Sequence, residues 1–136
     1  MKLLIIYADK FGYKTSKKGL ENVEEINEEK ELNEVLVGFI QVEEKDEENT
    51  SYAETKLVKN LKWAARKNET NKIVLHSFNH LSNSKASPEF SKSLIDRADE
   101  RLKKSDYETA QTPFGYFLDL DIQAPGYPLA RIFKDF

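Results

Sequence analysis

Residues 77 to 90, "SFNHLSNSKASPEF", bring Asn79, His80, Ser82, Asn83, Ser84 and Lys85 into seven consecutive positions. A histidine among amides and hydroxyls can act as a general base, ligate a metal or wall a polar pocket. The metal reading needs a second ligand, and His76 is the only other histidine. In an extended segment four residues span ~13 Å, whereas two ligands of one zinc lie within ~2.1 Å of the ion. The local sequence offers no carboxylate partners and the chain has no cysteine, so no metal is expected. A Ser–His–Asp arrangement has Asp9, Asp119 and Asp121 to draw on, but no Gly-x-Ser-x-Gly elbow is present. His76 lies inside the apolar run "KIVLHSF" and reads as a core histidine. His80, at the end of that run beside polar residues, is the stronger candidate for chemistry.

A second constellation is "TPFGYF", residues 112 to 117. Proline fixes one dihedral, glycine lets a backbone approach a ligand, and aromatic rings flank them. Such a loop can wall a small pocket and offer main-chain N–H groups. It can equally be a strand-opening turn with core aromatics.

The elements that must position these residues follow from hydrophobic patterning. "KLLIIYA" (2–8), "VLVGFIQVE" (35–43) and "KIVLHSF" (72–78) are apolar runs of strand length, as expected of buried strands. Gly12 is expected to bend the chain, with Tyr13–Lys14–Thr15 forming a short further strand. Residues 17 to 34, rich in Glu, Lys and Asn, read as a solvated excursion. Ser51 and Glu54 have capping-box spacing and predict a helix over 52–66, with Leu57, Val58, Leu61, Ala64 and Ala65 as its buried stripe. Ser87 and Pro88 predict a second helix over 88–103, burying Phe90, Leu94, Ile95, Ala98 and Leu102. The last third is aromatic and β-branched and is broken at Pro113–Gly115 and Pro125–Gly126. It predicts two or three strands. The sum is one α+β domain over 1–136, a mixed sheet or sandwich with two main helices. No glycine-rich phosphate loop follows the first strand.

The chain has 136 residues and a formal net charge of −3. That balance argues against broad binding to duplex nucleic acid, which needs a clustered basic face. It leaves open recognition of a single-stranded end. No apolar run approaches the ~20 residues of a membrane helix.

Four segments, "MKLLIIYADKFGYKT", "EVLVGFIQVEEKDEEN", "FNHLSNSKASPEFS" and "TPFGYF" with the later "GYPLA", occur in order along nearly the whole chain. In order and spacing they resemble the N-terminal editing domain of archaeal threonyl-tRNA synthetases. The resemblance implies the fold shared with D-aminoacyl-tRNA deacylases. It also implies hydrolysis of L-serine mischarged on tRNA(Thr), with the substrate's own 2′-hydroxyl assisting the water. His80 is then the catalytic side chain, beside Asn79. The backbone of Val42 lies against the terminal nucleotide, and Phe114, Gly115, Tyr116, Phe117 and Leu118 form the far wall. Lys85 and Asp9 are accessory candidates. The implied partners are the serylated 3′ end of tRNA(Thr), a synthetase catalytic region in cis or in trans, and a second copy in a homodimer. A cytoplasmic location, no cofactor and no membrane contact complete the expectation. The chain departs from the family where Tyr-Lys is common but Phe117–Leu118 stands here, and where Arg131 replaces a glutamate. Tyr7–Ala8–Asp9 stands in place of His-Ser-Asp. A degenerate, non-catalytic module that binds the tRNA end, or that serves only as an interaction module of a synthetase, is therefore the alternative.

Overall fold

The structure, a computed structural model, describes residues 1–136. Strand β1 (Lys2–Lys18) is followed by β2 (Glu29–Gln41), the single-turn helix α1 (Glu44–Glu47) and helix α2 (Thr50–Lys67). Then come β3 (Lys72–Ser77), helix α3 (Pro88–Lys104), β4 (Glu108–Gln111), β5 (Tyr116–Gln123) and β6 (Arg131–Asp135). The sheet runs β4-β3-β2-β1-β5, and β6 pairs with the first part of β1. β1 is antiparallel to β2, β5 and β6, whereas β2, β3 and β4 are mutually parallel. Parallel neighbours need crossover connections, and α2 and α3 provide them. The expected α+β class is observed, with 2–8, 35–41 and 72–77 as adjacent strands.

The helical stripes pack where periodicity put them. Leu57, Leu61, Leu94 and Leu102 are fully buried with Leu3, Ile5, Leu36 and Ile40 from one face of the sheet. Each such side chain contributes about 1.5–3 kcal/mol by leaving water. A Cβ on Gly38 would come within 2.9 Å of Leu61 Cδ2, so glycine lets α2 lie close on β2. The opposite face buries Phe11, Val35, Val37, Phe39 and Val74. Ser87 caps α3 as expected, its Oγ accepting from the Phe90 N–H at 3.2 Å.

Three expectations are corrected. Gly12 is not a bend: it pairs with Glu31 on one side and Asp121 on the other, so β1 continues unbroken through Tyr13–Lys14–Thr15. The break in alternation lies at Glu34, whose φ of +53° turns both Leu32 and Val35 toward the same face. Ser51 does not cap α2, which begins one residue earlier behind Asn49. The capping box sits instead at α1, where Asp46 Oδ2 accepts from the Glu43 N–H at 2.7 Å. Finally, the acidic excursion is not wholly solvated. Residues 29–34 extend β2, and half-buried Leu20, Val23 and Ile26 turn inward.

Candidate functional site

β3 ends at Ser77, but the Phe78 N–H still donates to Ile40 O at 2.9 Å, so Asn79 and His80 emerge at the end of the sheet. The segment beyond them is fixed by Gln41, whose side chain is fully buried. Its Oε1 accepts from Leu81 N–H (2.6 Å) and Ser82 N–H (2.8 Å). Its Nε2 donates to the carbonyls of Ser82 (2.8 Å) and Ser84 (2.9 Å). One amide therefore saturates its donors and acceptors on a single loop. Val42 O accepts from Ala86 N–H at 3.0 Å, and Ser82 Oγ donates to Glu43 at 2.7 Å. Burial alone would raise the Glu43 carboxyl. Hydrogen bonds from the Met1 ammonium and Ser82 outweigh it and hold the group down at about 2.

The facing wall is the turn before β5. Gly115 has φ +82°, and a Cβ there would sit 2.7 Å from Val23 Cγ1. Glycine is required on both counts. Its carbonyl accepts from Gly19 N–H (2.6 Å) and Leu20 N–H (3.2 Å). Tyr116 Oη accepts from Ile26 N–H at 2.9 Å and donates to Glu24 O. The 19–26 excursion is thereby strapped over the turn, and Leu20 becomes part of the wall.

Between these walls lies a cavity of about 600 Å³, within the usual range for small-molecule sites. Asn79, His80 and Lys85 line it from the β3 side, and Phe114, Gly115, Tyr116, Phe117 and Leu118 from the other. Eight of the candidate residues are thus brought together. Val42 and Asp9 do not line the cavity: the Val42 side chain is in the core, and its carbonyl secures the loop. Asp9 is exposed on β1. Among the residues that patterning missed are Gly19, Leu20, Ser91 at the start of α3 and Leu120, all in the lining, and Gln41, which braces the loop beside it. For Gln41 there was a signal, a lone amide closing the apolar run "VLVGFIQ".

His76 forms the floor. Its Nδ1 lies 2.8 Å from Thr112 Oγ1, and both residues are buried. Thr112 does not reach the cavity, so the pair orients the ring rather than offering a nucleophile. Burial, with a smaller contribution from nearby His80, lowers the His76 pKa to about 4, so the imidazole is neutral near pH 7. From this floor aromatic rings step outward. Phe39 and Phe78 meet edge to face at 5.2 Å, Phe78 and His80 at 4.8 Å, and His80 faces the exposed Phe117 ring at 6.1 Å. The cavity mouth is lined by π-faces and amides, with Lys85 as its one cation.

A curled mixed sheet, helices on one face and this cavity at the sheet's end define a small α+β pocket-bearing domain. Residues 1–136 match the family described as the archaea-specific editing domain of threonyl-tRNA synthetase. The chain is 34% identical over 135 residues to a threonine–tRNA ligase of Thermococcus gammatolerans, covering 97% of this chain and 22% of that protein. It is 32% identical over 134 residues to a threonine–tRNA ligase of Methanosarcina mazei, covering 97% and 21%. The chain belongs to the archaeal threonyl-tRNA synthetase editing-domain family. It spans about a fifth of the length of these curated relatives. A solved structure titled "c-Myc DNA Unwinding Element Binding Protein" superposes with a TM-score of 0.73 at 13% identity, covering 100% of this chain and 99% of that one. At that identity the likeness establishes the fold alone. It agrees with the α+β, D-aminoacyl-tRNA deacylase-like architecture expected from the sequence.

Proposed function

We propose that the chain is a hydrolytic editing domain that removes L-serine from tRNA(Thr). The observation that carries this reading is the cavity. It joins Asn79, His80 and Lys85 to the Phe114–Leu118 wall, in a chain that matches an editing-domain family over its whole length. The need is physical: serine lacks one methyl of threonine, and a missing methylene gives a synthetic site only about 1–3 kcal/mol of discrimination. In the proposed reaction, water oxygen attacks the ester carbonyl carbon and the bond to the ribose oxygen breaks. A proton from the water ends on that leaving oxygen. The substrate's 2′-hydroxyl assists the water and main-chain groups hold the ester, with His80 as the catalytic side chain. Asn79 and the aromatic mouth bind the terminal adenosine, for which base–aromatic stacking is the available chemistry. Residues 1–136 act as one editing unit in the cytoplasm, as a homodimer, with a synthetase catalytic region in cis or in trans.

One observation favours a second reading, a non-catalytic module that binds the tRNA end. Leu118 is an apolar part of the cavity wall at a position where the family resemblance implies lysine. Arg131, in place of the family glutamate, is exposed on β6 opposite Ile6 and outside the cavity. Titration with a non-hydrolysable seryl-adenosine analogue, followed by amide NMR, tests whether the cavity takes the tRNA end, and serine release from seryl-tRNA(Thr) then separates the readings. Both readings expect shifts at Asn79, His80 and Phe117. Shifts confined to α3, near Lys92 and Arg101, would place RNA contact away from the cavity and count against both.

A further inference from the structure

Although the chain is acidic overall, its charge is segregated. Helix α2 carries five cations (Lys56, Lys59, Lys62, Arg66, Lys67) and one carboxylate, Glu54. Glu54 is turned to α3, where Arg97 Nε (2.6 Å) and Arg101 Nη1 (3.1 Å) hold it. The outward side of α2 is left without a negative charge. Tyr52, Lys56, Lys59, Trp63, Arg66 and Lys67 are all exposed. At 3.6 residues per turn their spacing puts them in one stripe about 22 Å long. None of the stripe's four cations has a carboxylate within 4.0 Å, although the chain has 24 acidic residues. Lys56 Nζ lies 5.8 Å from the Tyr52 ring centroid, and Lys134 Nζ of β6 lies 5.6 Å from that of Trp63.

We propose that this face of α2 docks the sugar-phosphate backbone of an RNA duplex, as a surface separate from the cavity. The choice of RNA as the polyanion rests on the proposed tRNA substrate; the charge geometry does not. Cations at intervals of three to four residues along a rigid rod track phosphates, and the interleaved aromatic side chains can lie against the riboses between them. A protein partner fits less well. Cores of protein interfaces are depleted of lysine and centre on apolar area, and here the two aromatic residues are separated by cations. Net charge argues against broad duplex binding, but it does not register the four cations without a carboxylate partner that the fold sets along one face of α2.

Trp63 is the sole tryptophan and lies in the stripe, so its fluorescence reports directly. The probe is a blunt 12-base-pair RNA duplex with no aminoacyl end, which keeps the readout independent of whether the cavity hydrolyses anything. The expected result is a Trp63 signal change with micromolar affinity at low salt. With four phosphates neutralised, the slope of log K against log salt is about −3 to −4, or roughly tenfold weaker binding for each doubling of salt. Lys59→Glu with Arg66→Glu should weaken binding at least about tenfold. Lys30→Glu with Lys72→Glu, an equal charge change on exposed strand residues elsewhere, should cost less than about threefold. No binding at low salt, a slope near zero, or equal losses in the two double variants would each overturn the proposal. So would a chain that ignores the duplex but binds the remainder of a threonine–tRNA ligase through the same stripe, because the face then belongs to a protein.

Discussion

Replacing Gln41 with leucine should loosen the site without opening the core. Leucine has similar volume, so the cavity left behind is small, and the cost lies in four hydrogen bonds to the 81–84 segment. A net bond contributes about 0.5–1.5 kcal/mol, which gives a range of about 2–6 kcal/mol for four. Ser82 and Ser84 are half-buried, so water can replace part of what is lost. The expected destabilisation is therefore about 2–3 kcal/mol. Urea denaturation should show it as a lower midpoint at unchanged slope. Amide exchange should speed up at Leu81 and Ser82, whose N–H groups lose their acceptor, while the α2 core stays protected. Gln41→Glu is a sharper variant. It keeps both accepting contacts but sets a carboxylate against the carbonyls of Ser82 and Ser84, so it should cost at least as much as leucine. A loss below about 1 kcal/mol, or unchanged exchange at Leu81 and Ser82, would refute the role given to Gln41.

Gly115→Ala combines a left-handed φ with a contact to Val23, and should cost roughly 2–4 kcal/mol. Adding Val23→Ala should recover the steric part, and strict additivity of the two changes in denaturation would show that the excursion does not press on this turn. His76 makes stability pH-dependent. Its folded pKa of about 4 lies below the ordinary 6.5, so the unfolded chain binds the proton more readily. That stability is fully present above pH 6.5 and is lost as pH falls toward 4, up to about 3 kcal/mol. Denaturation midpoints across this range should flatten in His76→Gln, and an unchanged profile would contradict the assignment. Glu43 acts in a separate, lower window, its contribution present above 4.5 and lost as pH falls through about 2. Leu118→Lys returns an ammonium to the cavity wall and should raise the rate of serine release, as read in a deacylation assay. No change would indicate that the wall does not face the ester.

The parts of the fold that sequence disclosed are those with one dominant period. The stripes of α2 and α3 and the apolar runs of β1, β2 and β3 repeat the spacing that burial demands. They are buried as expected except Phe90 at the start of α3 and Leu4, Ile6 and Tyr7 of β1, which are half-buried. The errors fall where long-range pairing overrides local signals. Gly12 looks like a bend until β2 and β5 grip it from both sides. The run 17–34 looks solvated because its few apolar residues meet nothing nearby in sequence, yet Val23 packs on a turn over ninety residues away. For the site, the polar cluster at a strand end points to His80, and turn chemistry points to the loop from Thr112 to Phe117. Asn79, Lys85 and Leu118 follow only from the family resemblance. Gln41 was less visible, because an amide acquires meaning only once the loop it binds has been folded onto it. The basic face of α2 was hidden in a net charge of −3, since composition averages over surfaces that the fold keeps apart.

The most direct measurement is single-turnover release of serine from seryl-tRNA(Thr), run beside threonyl-tRNA(Thr) and beside seryl-tRNA ending in 2′-deoxyadenosine. Editing predicts that serine is released and threonine is retained. It also predicts that the deoxy substrate is inert, whereas His80→Ala is only slowed. Turnover of the deoxy substrate with a loss of about 10²–10⁴-fold in His80→Ala would instead make His80 the general base. A chain that releases no serine, under conditions where a lysine-containing relative does, would contradict the editing function itself.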